Sequence, residues 1–596
     1  MNSTLPVSKS ILVAAVALSV AAALTIIPGP PGSADPGFQA VGHVSHSEFE
    51  MEILAKAKPD ECFAGIGEPY PPGPPCADGV PKVNQAYVWS MVRSDRSIWL
   101  GTTANLQCLV LSKLKSTKPA EPMRTEDYAC EYGESEYMKQ RLVPPLGERD
   151  PRLAAGDARP PQVVHYDIES GRTTEKTGDI INASITDALR LKSTLGIRAA
   201  GAHDGVVLLA GLGIFGGINL FAFDSVSGDY LGSTTFLRYS NIRNFVVADG
   251  ALYAGVGVGR APGSVVAIKG AVLRWTGSKS DPFQFDLVGH LPAEAADLTA
   301  HNGRIFAITW AGDTSLFGPG AAAPGVWRSP ALVDGAPGLT EDDAYAWRQV
   351  WSVTDYEPDP TIARTYGLGG LTAYGGRLYW GTMHVPGAAV LFHSRRHPSA
   401  DTEERRTALT ATHRATALFR SAFDDEESPV ELLYGESNLP AFDPDANDGA
   451  GAWRPVPTGY RPRFGRSGFG NTFNNYTWDM VVADGRLFVG TMDWSYLSRE
   501  LRPNDPSTDA ALDGVDPAVY GADLWVFDSA GAPARPVDTV GLGNYLNYGF
   551  RTMVADGPDI YIGTANPMNL RTNPDDNVPE GGWELIRLTA TSRAPE

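Results

Sequence analysis

A short phrase recurs along this chain and limits what it can fold into. Near the C-terminus it reads Met480-Val-Val-Ala-Asp-Gly-Arg-Leu-Phe-Val-Gly-Thr491, then Met553-Val-Ala-Asp-Gly-Pro-Asp-Ile-Tyr-Ile-Gly-Thr564. Earlier versions are Val246-Val-Ala-Asp-Gly-Ala-Leu-Tyr-Ala-Gly255 and Leu371-Thr-Ala-Tyr-Gly-Gly-Arg-Leu-Tyr-Trp-Gly-Thr382. An apolar run, an Asp-Gly or Gly-Gly turn and a second apolar run spell a β-hairpin. A hairpin that returns at frequent intervals implies a modular β architecture.

Counting the hairpins by their first strands gives seven, around Tyr87, Ile197, Ile242, Ala296, Leu368, Tyr476 and Tyr548. Each is followed by a third apolar run: Val163-Val-His-Tyr-Asp, Asn219-Leu-Phe-Ala-Phe-Asp, Ala271-Val-Leu-Arg-Trp, Gly325-Val-Trp-Arg-Ser, Ala417-Leu-Phe-Arg-Ser, Asp523-Leu-Trp-Val-Phe-Asp and Trp583-Glu-Leu-Ile-Arg-Leu. Turns such as Tyr166-Asp-Ile-Glu-Ser-Gly171 lead to a fourth, since Asp bonds its own backbone and Gly accepts positive φ. The expectation is an all-β chain, a seven-bladed β-propeller of four-stranded blades with long loops on one face. The last unit has only three strands, and an open edge invites aggregation. Phe38-Gln-Ala-Val-Gly-His-Val44 resembles the outer strand Phe283-Gln-Phe-Asp-Leu-Val-Gly-His-Leu291, so an N-terminal outer strand near 38–45 is expected to close the ring.

The chain resembles exported seven-bladed propeller proteins of uncharacterised activity. The stretch from Glu61-Cys-Phe-Ala-Gly-Ile-Gly to Pro81-Lys-Val-Asn-Gln-Ala-Tyr-Val-Trp carries that resemblance. The WD40 pairing of Gly-His with Trp-Asp and the regular Gly-Gly of kelch repeats are missing at repeat spacing. The resemblance implies a fold and no specific activity.

Lys9 precedes an apolar run from Ile11 to Ile27, then Pro28-Gly-Pro-Pro and Gly32-Ser-Ala34. This reads as a signal peptide over 1–34, which predicts a secreted or cell-surface protein. The weakly basic start leaves an uncleaved membrane anchor as the alternative. Residues 35–596 are read as one domain. Its four cysteines, Cys62, Cys76, Cys108 and Cys130, crowd near 60–131 and allow three disulfide pairings. Cys62–Cys76 with Cys108–Cys130 is favoured, because each then closes a local loop. No CxxC pair supports a zinc site, and no metal or cofactor is expected. A net charge of −20 argues against a nucleic-acid partner. A monomer is expected.

In such an architecture the loops after strand two emerge on one face, and all the long insertions fall there: roughly 103–161, 310–324, 383–416, 492–521 and 565–581. Loops held on a rigid scaffold are where binding concentrates. Just past strand two come Asn105, His384, Asp493, Trp494 and Asn566; first strands add Trp89, Arg198, Arg243, Asp297, Trp478, Asp479 and Arg551. Trp offers an apolar face, and Arg and Asp fix orientation, so a glycan or protein ligand suits the ring. Mutual Arg–Asp pairing that ties blades together is the structural alternative.

Other motifs carry less. Gly211-Leu-Gly-Ile-Phe-Gly216 fits a dinucleotide pattern but leads into a strand where a helix is needed. Asp443-Pro-Asp-Ala-Asn-Asp-Gly449 approximates a calcium loop with its glycine one position late, which reads as an acidic turn or a looser structural calcium site. Asn475 and Asn182 match the glycosylation acceptor pattern. The charged stretch 395–416 is read as a loop-face helix, with Val390-Leu-Phe-His-Ser an alternative third strand. The expected function is therefore an exported, non-catalytic binding protein. The alternative is an extracellular polysaccharide hydrolase or lyase using Asp479 and Asp493, with His384 and Arg551 assisting.

Overall fold

A computed structural model describes residues 48–591, apart from 109, 111–121, 133–134, 136–158, 261–266, 312–321, 334–337, 386, 400, 426–427 and 501–515. The segments 1–34 and 38–45, read above as a signal peptide and a closing strand, lie outside the described residues.

The chain is all-β, built from antiparallel four-stranded units whose strands are called A to D in order of pairing. Unit 1 is Gln85–Ser94, Ser97–Ala104, Val163–Asp167 and Arg172–Glu175. Unit 2 is Thr194–His203, Val206–Gly213, Ile218–Asp224 and Tyr230–Phe236. Unit 3 is Tyr239–Ala248, Ala251–Arg260, Ala267–Trp275 and Phe285–Leu291. Unit 4 is Ala295–His301, Arg304–Thr309, Gly325–Arg328 and Arg348–Ser352. Unit 5 is Tyr366–Tyr374, Arg377–His384, Leu418–Ser421 and Glu431–Tyr434. Unit 6 is Asn474–Ala483, Arg486–Asp493, Leu524–Phe527 and Arg535–Asp538. Unit 7 is Gly549–Asp556, Asp559–Ala565 and Glu584–Ala590, and its strand D is Phe49–Lys56 from the start of the described chain.

The A–B turns explain the Asp-Gly of the repeated phrase. Both turn residues have positive φ at Asp204-Gly205, Asp249-Gly250, Asn302-Gly303, Gly375-Gly376 and Asp484-Gly485. That is the type I′ geometry that matches the twist of a hairpin, and it selects Asp, Asn and Gly.

The Gly-Thr that ends the phrase has two separate jobs. A Cβ on Gly101 would fall 2.3 Å from Ile197, on Gly381 2.3 Å from Thr477, and on Gly490 2.9 Å from Phe550. Each neighbour belongs to strand A of the next unit, so these glycines are where units press together. A Cβ on Gly563 of unit 7 would fall 2.5 Å from Val88 of unit 1. The threonines latch strand B to strand C. The hydroxyl oxygens of Thr102, Thr382, Thr491 and Thr564 accept the backbone N–H of Gln162 (2.8 Å), Ala417 (2.8 Å), Asp523 (2.9 Å) and Glu584 (2.9 Å).

Strand A of each unit lies beside strand A of the next, and that of unit 7 lies beside that of unit 1. Every neighbouring pair shares an apolar core. Units 1 and 2 meet around Trp99, Ile197 and Phe223, and units 7 and 1 around Val88, Ile98 and Tyr561. Large buried side chains of this kind contribute on the order of 2 kcal/mol each.

The disulfides are Cys62–Cys76 and Cys108–Cys130, the pairing expected from sequence. Two such bonds suit an oxidising compartment. Among the described residues no helix is long and apolar enough to cross a membrane. Helices α1 (Thr177–Ala183) and α2 (Ile185–Lys192) fill the step from unit 1 to unit 2. Helices α3 (Ala388–Arg396) and α4 (Thr402–Thr412) follow strand B of unit 5. Val390-Leu-Phe-His-Ser is thus helical and not a strand: Ala389, Val390 and His393 share the buried face at helical spacing. The Gly211–Gly216 segment is strand followed by a tight turn into strand C.

Candidate functional site

The inner strands share an irregularity. In every strand A the register against strand B slips by one residue, at Trp89, Arg198, Arg243, Ala296, Gly370, Trp478 and Arg551. A β-bulge leaves one residue without a cross-strand partner and re-aims its side chain. Repeated in successive units, it gives three arginines and two tryptophans the same position in their strands.

Each arginine there is stacked on an indole. The Arg198 guanidinium lies 5.1 Å from the Trp89 ring centre, Arg551 5.7 Å from Trp478, and Arg243 4.3 Å from Trp310. Two of these stacks share one construction. A Cβ on Gly196 would strike Trp89 at 2.5 Å, and one on Gly549 would strike Trp478 at 1.9 Å. The triplets Gly196-Ile-Arg198 and Gly549-Phe-Arg551 therefore cradle the bulged tryptophan of the preceding unit, glycine beneath and guanidinium over the ring. Trp310 is backed in the same way by Gly367, whose Cβ would lie 2.3 Å from the indole.

The arginines differ in how their edges are satisfied. Arg243 donates to Glu294, which also accepts from Asn241 at 2.5 Å. Arg198 donates one bond, Nη1 to Asn241 Oδ1 at 3.2 Å, and its buried Nε has no partner. Arg551 makes no hydrogen bond among the described residues. Burial pulls the Arg198 guanidinium well below its ordinary value, and the charge of Arg243 adds to this. Burial likewise lowers Arg551, to about 10.

Two carboxylates face the same space, and backbone amides occupy their oxygens. Asp297 accepts from Leu298 N (2.8 Å), from the Asn244 side chain, and from Leu371 N of the next unit (3.0 Å). Asp479 accepts from Met480 N (2.8 Å) and from Met553 N of the next unit (2.6 Å). Both staple neighbouring inner strands. Burial pushes Asp297 up to about 8, helped by the negative charge of Asp479. Burial raises Asp479 to about 6 against its amide bonds and Arg551.

An aromatic cluster surrounds Trp478. Trp478 packs against Tyr87, Tyr476 and Tyr548 at 5.6–6.1 Å between ring centres, and Trp494 reaches Tyr548 at 6.1 Å. The Tyr87 and Tyr548 hydroxyls bond each other and Gln107. The Cys108–Cys130 bond lies in this cluster.

Of the residues expected at the site, Trp89, Arg198, Arg243, Asp297, Trp478, Asp479 and Arg551 stand at or beside the bulges of the first strands. Asn105, His384, Asp493 and Asn566 are at most 2% exposed and serve the loops instead. Asn105 bonds Asn84 at 2.7 Å; Asn566 donates to Glu580 O at 3.0 Å. Asp493 accepts from Ser495 N (2.7 Å), the Ser495 hydroxyl and Asn471 (2.8 Å), and burial raises it to about 7. His384 lies under Tyr366 and near Thr365, and burial beside Arg414 lowers its pKa well below the ordinary range. Trp310, Glu294 and Asn241 were not singled out from sequence. The Gly-x-Arg triplet was a usable signal for the indole cradles. Asn475 is fully buried and bonded to Arg414 O at 2.7 Å, so it is closed to glycosylation in this fold; Asn182 is exposed.

A separate cleft of about 250 Å³ lies away from the channel, between α3 and the hairpin Asn438–Asp443 with Ala452–Pro457. Asp359, His393, His397 and Phe442 line it. Burial and the neighbouring His397 lower His393 to about 4. The Asp443–Gly449 segment turns between the two strands of that hairpin, and Asp443 faces Arg454 at 3.5 Å. Among the described residues no three His, Cys, Asp or Glu side chains gather as metal ligands.

No protein-family model and no curated protein sequence matches the chain. Among solved structures it is similar to the β-propeller domain of the Trilobed protease from Pyrococcus furiosus, at 8% identity, with 76% of this chain and 98% of that one covered and a TM-score of 0.28. It is also similar to a puromycin hydrolase (8% identity, 81% and 50% covered, TM-score 0.35). A third is an α-L-arabinofuranosidase from Clostridium thermocellum (10% identity, 63% and 94% covered, TM-score 0.24). Likeness at this level carries no inference about what the chain binds or does.

Proposed function

We propose that the chain is an exported, monomeric seven-bladed β-propeller that binds a polar ligand, a glycan or a segment of protein, in the channel beneath its loop face, without catalysis. The ring reading is supported by inter-unit cores that run from unit 1 to unit 7 and back, with Phe49–Lys56 as the closing outer strand. The disulfides support an oxidising, extracellular setting. The acidic surface speaks against a nucleic-acid partner.

One observation carries the binding reading. The bulged level presents rigid indoles and incompletely bonded guanidinium edges, while Asp493 and His384 are sealed inside loops. Apolar faces with a few convergent polar groups are what a ligand pocket needs. A glycan array probed with the intact protein should show a preferred class, and Trp478→Ala should abolish that signal without unfolding the chain. An array without signal, together with no partner captured by immobilised protein, would sink the reading. The hydrolase or lyase alternative now rests on Asp297 and Asp479, whose raised carboxyls face one channel. It requires release of new sugar ends from a polysaccharide, lost in Asp479→Asn.

A further inference from the structure

Three arginines and three carboxylates share this level, yet among the described residues only Arg243 and Glu294 form an ion pair. Among the described residues Arg198 and Arg551 have no carboxylate within ion-pair distance, and between them they donate a single hydrogen bond. Each has one face covered by an indole that is itself wedged on a glycine, which sets the plane of the guanidinium. A guanidinium has five N–H donors, and a buried one left unbonded, as Arg198 Nε is, is costly. The two carboxylates that could neutralise them have their oxygens engaged by backbone amides. Arg198, Arg243 and Arg551 occupy the same bulge position of their strands, and the indoles under Arg243 and Arg551 both pack on Tyr476.

We propose that the ligand of this channel is a small carboxylate, held by the guanidinium edges of Arg198 and Arg551 with Trp89 and Trp478 as its walls. The inference rests on the binding reading above and narrows it. A carboxylate matches the fork geometry of arginine, with two oxygens for two N–H groups. The net charge of −20 favours a small anion over a polyanion, which the surrounding surface would repel. The charges facing the site from every inner strand that carries one are Arg198, Arg243, Glu294, Asp297, Asp479 and Arg551. Tyr87, Tyr476 and Tyr548 stay neutral, since burial raises all three. As pH rises past about 6 Asp479 ionises, and past about 8 Asp297 follows. Both add negative charge beside the anion, so affinity falls as pH rises, while Arg551, at about 10, keeps its proton.

The test uses the full chain and three probes: D-glucuronate, its neutral counterpart D-glucose, and acetate. Tryptophan fluorescence and melting temperature are followed as each is added. Glucuronate should quench saturably and raise the melting temperature; glucose should do neither. A response to glucuronate alone identifies an acidic sugar, and a response shared with acetate identifies carboxylates in general. Arg551→Gln and Arg198→Gln should each weaken glucuronate by about tenfold, the worth of one charge-assisted bond. Arg551→Lys should retain part of the affinity, which guards against a variant that merely unfolds. Equal response to glucose and glucuronate, or an Arg551→Gln protein that folds and binds as the wild type, overturns the inference. Silence toward both acids also overturns it; a neutral glycan bound on the array would then leave the broader binding reading standing.

Discussion

Gly381 shows how much one missing methyl group can settle. A Cβ there would lie 2.3 Å from the Thr477 Cβ, inside the joint between units 5 and 6. Overpacking of this kind costs about 1–3 kcal/mol. Gly381→Ala and Gly563→Ala should each lose that much in urea unfolding. Gly531→Ala, where a Cβ meets nothing within 4 Å, should be nearly neutral. A second residue-scale effect concerns Asp297. Its carboxyl is raised to about 8 when folded, against about 3.9 for a free aspartate. The folded state therefore holds a proton that the unfolded chain has released. Stability supplied by that proton is full below about pH 4 and fades as pH climbs toward 8. Asp297→Asn does not titrate, but it loses one of the acceptors that Leu298, Asn244 and Leu371 use. Its penalty relative to wild type should be largest below about pH 4, shrink as pH rises to about 8 and level off beyond, as read from denaturant midpoints across that range.

Strands and connections carry the next set of expectations. The Cys108–Cys130 bond closes a stretch of 22 residues in the B–C connection of unit 1. By loop-closure entropy it is worth about 3 kcal/mol. That connection is also tied to unit 7, where Asn569 donates to Ala129 O and accepts from Ala129 N, each at 2.9 Å. Cys108→Ser should lower the melting temperature and loosen the aromatic cluster around Trp478, seen as a red shift of tryptophan emission. Strand Phe49–Lys56 matters differently. It pairs with Glu584–Ala590 along its whole length, and Phe49 packs on Phe488 of unit 6 at 5.8 Å. Deleting residues 48–56 should expose that edge and give aggregation on mild heating, measured by light scattering.

At the scale of the molecule, the hairpins were legible because their signal is local. Two positive-φ residues and an alternating apolar run specify each A–B pair without reference to anything distant. The first and third strands of every unit follow from the same pattern. The candidate site was legible only in part. Trp89, Arg198, Arg243, Trp478 and Arg551 could be named because a known strand order points them inward. The variable residues after Gly-Thr misled, because position on a loop face does not reveal whether a side chain faces water. Asn105, Asp493 and Asn566 turned inward, as buried loop amides need partners and short polar side chains supply them. Helices α1 and α2 were missed since their apolar stripe is narrow and rests on two residues, Ile180 and Leu191. With every unit sharing a core with its neighbours, the protein should unfold as one unit. Far-ultraviolet dichroism and tryptophan emission should report coincident thermal midpoints.

The pairing of Phe49–Lys56 with Glu584–Ala590 also has a meaning in time. On a ribosome the first of these strands is made long before its partner, with all the other units in between. Until Glu584–Ala590 emerges, the early strand has no seat, and two raw edges stay exposed to chaperones and proteases. A chain that stops short of Ala590 never hides them. The seam thus reports that translation has passed that point, and a shorter polypeptide cannot pass as native.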